Sequence, residues 1–308
     1  MHSFHIPSAE SHVTWNRAFP AAAVVDSGDT VRLEISNASG GQFGQDATVD
    51  DVAHLDFSRV NPVTGPIYVR DAEPGDALIV EVLSIDLDTW GWTANIPGFG
   101  LLADEFTSPH LRISKVTEHR AELLPGLRIP VVPFIGTIGL ALAADGDHPI
   151  VPPSAQGGNM DVRHITPGAR LWLPVAVPGA LLSLGDTHSA QGDGEVCGTA
   201  IETSSQVTLR VHVAKGRGLR FPMVETHPIS ARAGRAIATT GIGPDLFEAA
   251  RAATRGMIEE ISRRTGLDDI DAYLLASVAA DLRISEIVDQ PNWVVSMHLE
   301  KDVLEGAP

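Results

Sequence analysis

One local device recurs along this chain and limits what it can become: a Pro-Gly or Ser-Gly pair that releases directly into an aliphatic, partly β-branched run. Ser27-Gly28 precedes TVRLEI, Pro74-Gly75 precedes DALIVEVLSIDL, Pro167-Gly168 precedes ARLWLPVAV and Pro178-Gly179 precedes ALLSLGD. Proline and glycine set the turn, and the runs that follow have strand length and strand composition. A further run, Val207 to Val213, alternates apolar residues with Thr208, Arg210 and His212, the pattern of a strand with one wet face. With 29 Gly and 21 Pro among 308 residues, nearly all of the first 240 positions read as short strands joined by long loops. No heptad pattern or internal repeat competes with this reading.

The last quarter changes period. After Pro244-Asp245, apolar residues at Leu246, Phe247, Ala250, Met257, Ile258 and Ile261 follow helical spacing. Pro244 suits the first turn, Asp245 and Glu248 the positive end of the dipole, and Arg263, Arg264 and Gly266 the other end. A second helix is predicted from Asp268 to about Asp281, with Ile270, Tyr273, Leu274 and Val278 on one side, and a strand from Trp293 to Leu299 closes the chain. The fold class expected is therefore mainly β (α+β): β-sandwich-like sheets with long loops and two helices near the C-terminus. One domain over 1–308 is expected, with a β-rich segment over 1–240 and a helical segment over 241–308.

Charge narrows the partners. Lys plus Arg number 22 against 39 Asp plus Glu, a net charge of −17 that repels phosphate backbones and anionic lipid surfaces. No nucleic-acid and no membrane partner is expected. The lone Cys197 has no internal disulfide partner, and Met1 to His5 lacks a basic-then-apolar secretion pattern, so a soluble cytoplasmic protein is the expectation. The only lysines are Lys115, Lys215 and Lys301. No G-x-S-x-G elbow or H-E-x-x-H helix is present, and Gly40-Gly41-Gln42 lacks the Gly-Lys-Ser/Thr ending of a phosphate loop.

Chemistry concentrates between Leu181 and Glu202. Asp186 and His188 stand two apart on a predicted strand and so share a face. No lysine or arginine occurs between Arg170 and Arg210, although Asp186, Asp193, Glu195 and Glu202 fall there. Acids without basic neighbours either lie spread in water or hold a cation, and the adjoining His188 and apolar flank favour the cation. Asp161, behind Gly157, Gly158 and Asn159, completes a mixed oxygen and imidazole set; its alternative is a turn aspartate that bonds its own backbone. Such a set suits zinc with an open position, whereas a carboxylate-heavy version suits calcium or magnesium. Cys197 reads as a buried structural thiol on a strand returning into the core, because Asp193 and Glu195 beside it oppose a thiolate.

Several stretches carry a resemblance to a known family. They are GGQ at Gly40 to Gln42, NPVTGPIYV at Asn61 to Val69, AEPGDALIVEV at Ala72 to Val82, FIGTIGLA at Phe134 to Ala141, the whole of Gln156 to Glu202, and DAYLLASVAADLRISEIVD at Asp271 to Asp289. In this order they span nearly the whole chain, which resembles the acetamidase/formamidase family. The resemblance implies a largely β fold, a divalent metal site, and hydrolysis of a short aliphatic amide to acid and ammonia. Ser36-Asn37-Ala38 departs from the acidic residue and aromatic expected before GGQ, so no ligand is assigned to that loop.

Combining the two lines, Asp161, Asp186 and His188 are expected to hold zinc or a similar ion, calcium being the alternative, and the ion to activate water. Glu195 is the expected general base and proton shuttle, with Asp193 and then Glu202 next in line. Backbone N–H groups of Gly157, Gly158 or Gly192 are candidates for the oxyanion, and Asn159 and His164 for positioning substrate. A small-molecule amide partner and a homo-oligomer are expected. Two alternatives stay open: hydrolysis of a lactam or another amide, and a non-catalytic metal-binding β protein.

Overall fold

Along Thr30–Ile35 and Ser205–Ala214 buried and exposed residues alternate, with Val31, Leu33, Val207, Leu209 and Val211 facing inward. These strands belong to a nine-stranded sheet whose order is Ser3–Ile6, Thr30–Ile35, Ser205–Ala214, Ala77–Leu87, Arg170–Pro174, Met223–Glu225, Ala236–Gly243, Trp293–Glu300 and Ala280–Glu286. The computed structural model describes residues 2–228 and 234–304.

Leu182–Ala190 behaves differently, being buried at all nine positions. It runs through the middle of a second, eleven-stranded sheet, between Phe134–Leu140 on one side and Ile201–Thr203 on the other, with Val63–Val69 also pairing to its first half. Coverage on every side explains why its sequence is continuously apolar or small up to Gly185. One core unites the two sheets: Val31, Leu33, Leu78, Val80 and Leu209 from the first interdigitate with Ile67, Ile135, Ile138, Leu182 and Leu184 from the second. Each such side chain contributes roughly 1.5–3 kcal/mol of burial. The architecture is mainly β with two helices near the C-terminus.

Helix Leu246–Thr265 is capped by Asp245, whose carboxylate accepts from Glu248 N–H at 2.8 Å, and ends at Gly266 in the left-handed region. The cap is thus Asp245, and Pro244 lies just outside the helix instead of in its first turn. Ala249, Ala253, Met257 and Ile261 pack on Val295, Met297 and Leu299 of the sheet. The second helix is shorter than the sequence suggests, Asp269–Ala279, because the chain turns at Ala280 into the edge strand Ala280–Glu286. Its face is also reversed: Ala272 and Ala276 are buried, while Ile270, Tyr273, Leu274 and Val278 are exposed. Small residues allow close approach of this helix to its neighbours, and periodicity of the large residues pointed the wrong way. No described helix is long and apolar enough to cross a membrane.

Candidate active site

Asp186 and His188 lie on the fully buried strand Leu182–Ala190, and His188 pairs in register with Glu202 of the neighbouring strand. His188 Nε2 is 3.0 Å from Asp186 Oδ1 and 3.0 Å from Glu202 Oε2. Asp161 arrives from the turn after Gly157–Asn159, its Oδ1 3.8 Å from His188 Nδ1. Glu195 comes from the loop after the central strand. Ligand-capable atoms of Asp161, Asp186 and His188 converge within 4.8 Å, as do those of His188, Glu195 and Glu202, and those of Asp161, Glu195 and Asp289.

Gly136, opposite Asp186, makes this convergence possible. A Cβ there would stand 2.5 Å from Asp161 Oδ1 and 2.9 Å from Asp186 Oδ2, so the bare glycine is the floor on which the two carboxylates rest. Backbone strain gathers at the same place, since Asp161, Asp186 and Glu195 all have positive φ, 48°, 53° and 46°. A left-handed conformation costs a non-glycine residue roughly 1–2 kcal/mol, and here it aims three acids at one point.

The electrostatics are those of a buried anion cluster. Asp161, Asp186, Glu195, Glu202, Glu286 and Asp289 are all buried together with His188. Among the described residues no lysine or arginine pairs with any of them; their one cationic neighbour is His188. Burial, reinforced by the Asp186 carboxylate, holds Asp161 well above the usual carboxylate range. Burial and then the Asp161 carboxylate do the same to Glu195. Burial lifts Glu202 to about 7 against the opposing pull of His188. Asp186 alone is lowered, since the His188 charge and hydrogen bonds from its neighbours outweigh desolvation. Desolvation opposes a charge on His188, yet the Glu202 and Asp186 carboxylates raise it well above its normal value.

A divalent cation fits this environment. Both carboxylate oxygens of Asp161, with Glu286 Oε2, are buried and lack any hydrogen-bond partner, a costly arrangement for an ionised group unless a cation completes it. Gln191 prepares the imidazole. Its Nε2 donates to the Asp161 carbonyl at 3.0 Å, which turns its Oε1 toward His188 Nδ1 at 2.9 Å. An amide oxygen only accepts, so this contact places a proton on Nδ1, while Nε2 faces Asp186 and Glu202.

Sequence reasoning did not single out Glu286 and Asp289. Glu286 ends the edge strand Ala280–Glu286 and accepts from the N–H groups of Val288 and Asp289. Burial raises it to about 7 and holds Asp289 well above its normal value, with Glu286 and Asp161 adding to the latter. Their signal was two acids three apart, SEIVD, in an otherwise apolar stretch.

Other predicted residues fall elsewhere. Asp193 sits at the surface between Arg163 and Arg283, 3.5 Å from each, so it does have basic partners, supplied by the fold from distant segments. His164 packs on His298, ring centroids 4.6 Å apart, and with Gly192 lines an open chamber of about 870 Å³ on the outer side of Glu195. Asn159 borders the cluster, but its amide donates to Asp289 at 2.6 Å and accepts from Asn61 at 3.0 Å. Gly157 N–H is taken by Ser154 O at 3.1 Å, and Gly158 lies in a strand paired with Ile138. Cys197 is in a turn, not in a strand returning to the core: the strand starts only at Ile201, and Val196 beside it is 58% exposed. Gln42 ties its own loop to Ser39 and Asp56.

A small, partly open pocket lies against the cluster, lined by Asn159, Asp186, Glu195, Glu202 and Asp289 together with Trp92 and Phe99. Glu195 and Thr199 border both this cavity and the outer chamber.

Comparison with known proteins gives a consistent picture. The chain is 28% identical to a formamidase of Methylophilus methylotrophus over 96% of its own length and 89% of that protein. It is 32% identical to an acetamidase of Mycolicibacterium smegmatis over 71% of its length and 69% of that protein. The crystal structure of an acetamidase from Bacillus halodurans superposes with a TM-score of 0.90 at 33% identity, covering 98% of both chains. The Acetamidase/Formamidase family model matches residues 3–146 and 142–306, and the chain belongs to that family.

Proposed function

We propose that this protein hydrolyses a short linear primary amide of the formamide or acetamide type, with water, to the carboxylic acid and ammonia. The observation that carries the reading is the buried acid cluster with unpartnered oxygens set against a small pocket. Asp161, Asp186 and His188 are the proposed metal ligands, with Glu202 beside them. A divalent ion bound there supplies Lewis-acid polarisation of the amide carbonyl and makes water a stronger acid. The mixture of imidazole and carboxylate favours zinc, with calcium the alternative for a set this rich in oxygen.

Glu195 is the proposed base and shuttle. It stands at the cavity wall, and its raised proton affinity suits a group that takes a proton from water and returns it to the departing nitrogen. Its left-handed backbone fixes the carboxylate toward the cluster instead of toward solvent. Gln191 holds the His188 tautomer, and Asn159 holds Asp289. Asp193 belongs to the support of the Glu195 loop, because its carboxylate is occupied by two arginines. A purely structural ion would tie loops together without a cavity against its ligands, so catalysis is favoured over a non-catalytic binding protein.

Self-association also belongs to the proposal. Ile270, Tyr273, Leu274 and Val278 form an exposed apolar face beside Leu282 and Ile284 on the edge strand, a surface suited to a second copy of the chain. The test of function is acid and ammonia formation from formamide and acetamide, and amino-acid formation from lactams, with metal measured on the same preparation. Turnover of lactams alone, or of nothing by a metal-loaded protein, contradicts the reading.

A further inference from the structure

Resting on the amide-hydrolase reading, we infer that the acid cluster holds a second divalent ion, on Asp161, Glu195 and Asp289, with Asp161 shared between this position and the one on Asp186 and His188. Charge makes one ion too few. Asp161, Asp186, Glu195, Glu202, Glu286 and Asp289 are buried together, and His188 is their one cationic neighbour among the described residues. A single divalent ion leaves most of that negative charge unmatched in a space shut off from water, where uncompensated charge is costly. The free oxygens point the same way. Both oxygens of Asp161 are buried without a hydrogen-bond partner, as is Glu286 Oε2, and a carboxylate with two free oxygens can bind one ion with each.

The second position is assembled from different elements than the first. Ligand-capable atoms of Asp161, Glu195 and Asp289 lie within 4.8 Å of one another. Asp161 follows strand Gly157–Asn159, Glu195 sits on the loop after the central strand, and Asp289 on the loop after the edge strand Ala280–Glu286 of the other sheet. Gly194 N–H donates to Ser285 O at 2.9 Å and ties those two loops together. The acids are held in place by the protein itself. Asp161 and Glu195 are aimed by their left-handed backbone. Asn159 Nδ2 donates to Asp289 Oδ2 at 2.6 Å, and Asn159 Oδ1 accepts from Asn61 Nδ2 at 3.0 Å. Thr137 Oγ1, bonded to Asn159, is 3.2 Å from Asp186 Oδ2, so a neutral bridge of hydroxyl and amide groups sets the spacing between the two positions. Glu286 Oε1 accepts from the N–H groups of Val288 and Asp289 and so holds the turn that presents Asp289.

The two positions differ in the cation they suit. Imidazole at the first favours zinc, whereas three carboxylates favour a hard cation such as manganese, magnesium or calcium. Without imidazole the oxygen set binds more loosely, so the second ion exchanges through the pocket that Asn159, Glu195 and Asp289 line, and the purified protein keeps about one ion. In two-ion hydrolytic sites the pair stabilises charge on both sides of the bond that breaks.

The experiment adds manganese(II) to protein carrying about one zinc per chain and follows bound manganese by loss of the free ion's electron paramagnetic resonance signal, with zinc measured alongside. Wild type is expected to take up about one manganese per chain without releasing zinc. Asp289→Asn keeps its zinc and binds manganese about tenfold or more weakly. Wild type loaded with manganese alone is expected to show the exchange-coupled spectrum of two ions sharing a carboxylate, a readout that needs no variant to fold. No manganese uptake up to about 1 mM, uptake matched by zinc release, or an uncoupled spectrum in fully loaded wild type overturns the second ion. Acetamide hydrolysis by the one-zinc protein then leaves the amidase reading intact. Unchanged manganese affinity in folded Asp289→Asn overturns the assignment to Asp289. A wild type that binds neither metal overturns both readings.

Discussion

His188 and Glu202 face each other across adjacent antiparallel strands with Nε2 and Oε2 3.0 Å apart, and neither side chain reaches solvent. A register pair inside a sheet is among the most rigid ways to hold two groups, so the proposed metal site inherits the stiffness of the central strand.

Asp186→Ala and His188→Ala should lower bound metal and amide turnover together, as measured by metal analysis and ammonia release on folded protein. Gly136→Ala is a sharper probe, because it removes no proposed ligand but puts a methyl 2.5 Å from Asp161 Oδ1 and so forces that carboxylate to shift. Its expected effect is metal affinity weakened about tenfold or more with the fold retained by circular dichroism. Unchanged affinity in all three variants would remove these residues from the site.

Glu195→Gln should keep the metal and the fold yet reduce turnover by about 10² to 10⁴, the usual contribution of a positioned acid/base group. Stopped or continuous ammonia assays read this directly. Near-normal turnover would transfer the role to Glu202, which borders the same cavity.

His164 and His298 should contribute an acid-labile part of the stability, opposite in sign to the contribution of the cluster carboxylates, whose raised proton affinity favours the folded state as pH falls. Burial holds the two histidines neutral, at about 4 and about 3, with Arg163 and Arg283 also disfavouring charge and Asp193 opposing this at His164. Unfolded, each binds a proton near pH 6.5, so between that value and about 4 the unfolded state holds more protons on them and their contribution to stability rises with pH. It is complete above pH 6.5 and is lost as pH falls, by up to about 2 kcal/mol per histidine at pH 5. The histidine part is read as a difference: the change in urea midpoint from pH 7 to pH 5 should be more favourable to folding in His164→Asn than in wild type, and an identical pH dependence in that variant would contradict the assignment.

Cys197→Ala should leave most of the turnover and lower stability by only about 1 kcal/mol, as read by thermal unfolding. The sulfur sits in a turn with Thr199 O 3.3 Å away, and no basic side chain is paired with it among the described residues. A folded, metal-loaded variant slowed more than about a thousandfold, or an acyl group trapped on Cys197, would replace a metal-assisted mechanism with a thiol one.

How far the sequence could be read depended on whether the signal was local. Asp186 and His188 were legible because a period of two on one strand puts them on one face, and because no basic residue lies near them in sequence. Strands launched by Pro-Gly turns were legible for the same local reason. Glu286 and Asp289 join the cluster only because the edge strand of one sheet ends beside the Glu195 loop, where Gly194 N–H donates to Ser285 O at 2.9 Å, a tertiary relationship with no periodic trace. Asp193 was misread by the same limit, since Arg163 and Arg283 approach it through space. In helix Asp269–Ala279 the large apolar residues marked the exposed face, because close packing selected Ala272 and Ala276.

The central claim is that buried acids and His188 hold a divalent ion on which amide hydrolysis depends. Metal content and ammonia release from acetamide, measured on one purified sample before chelation, after prolonged chelation and after restoring zinc, test it most directly. The account predicts close to one ion per chain at the start, loss of ion and turnover together, and recovery of both. Full turnover in a sample shown to be free of metal would contradict it.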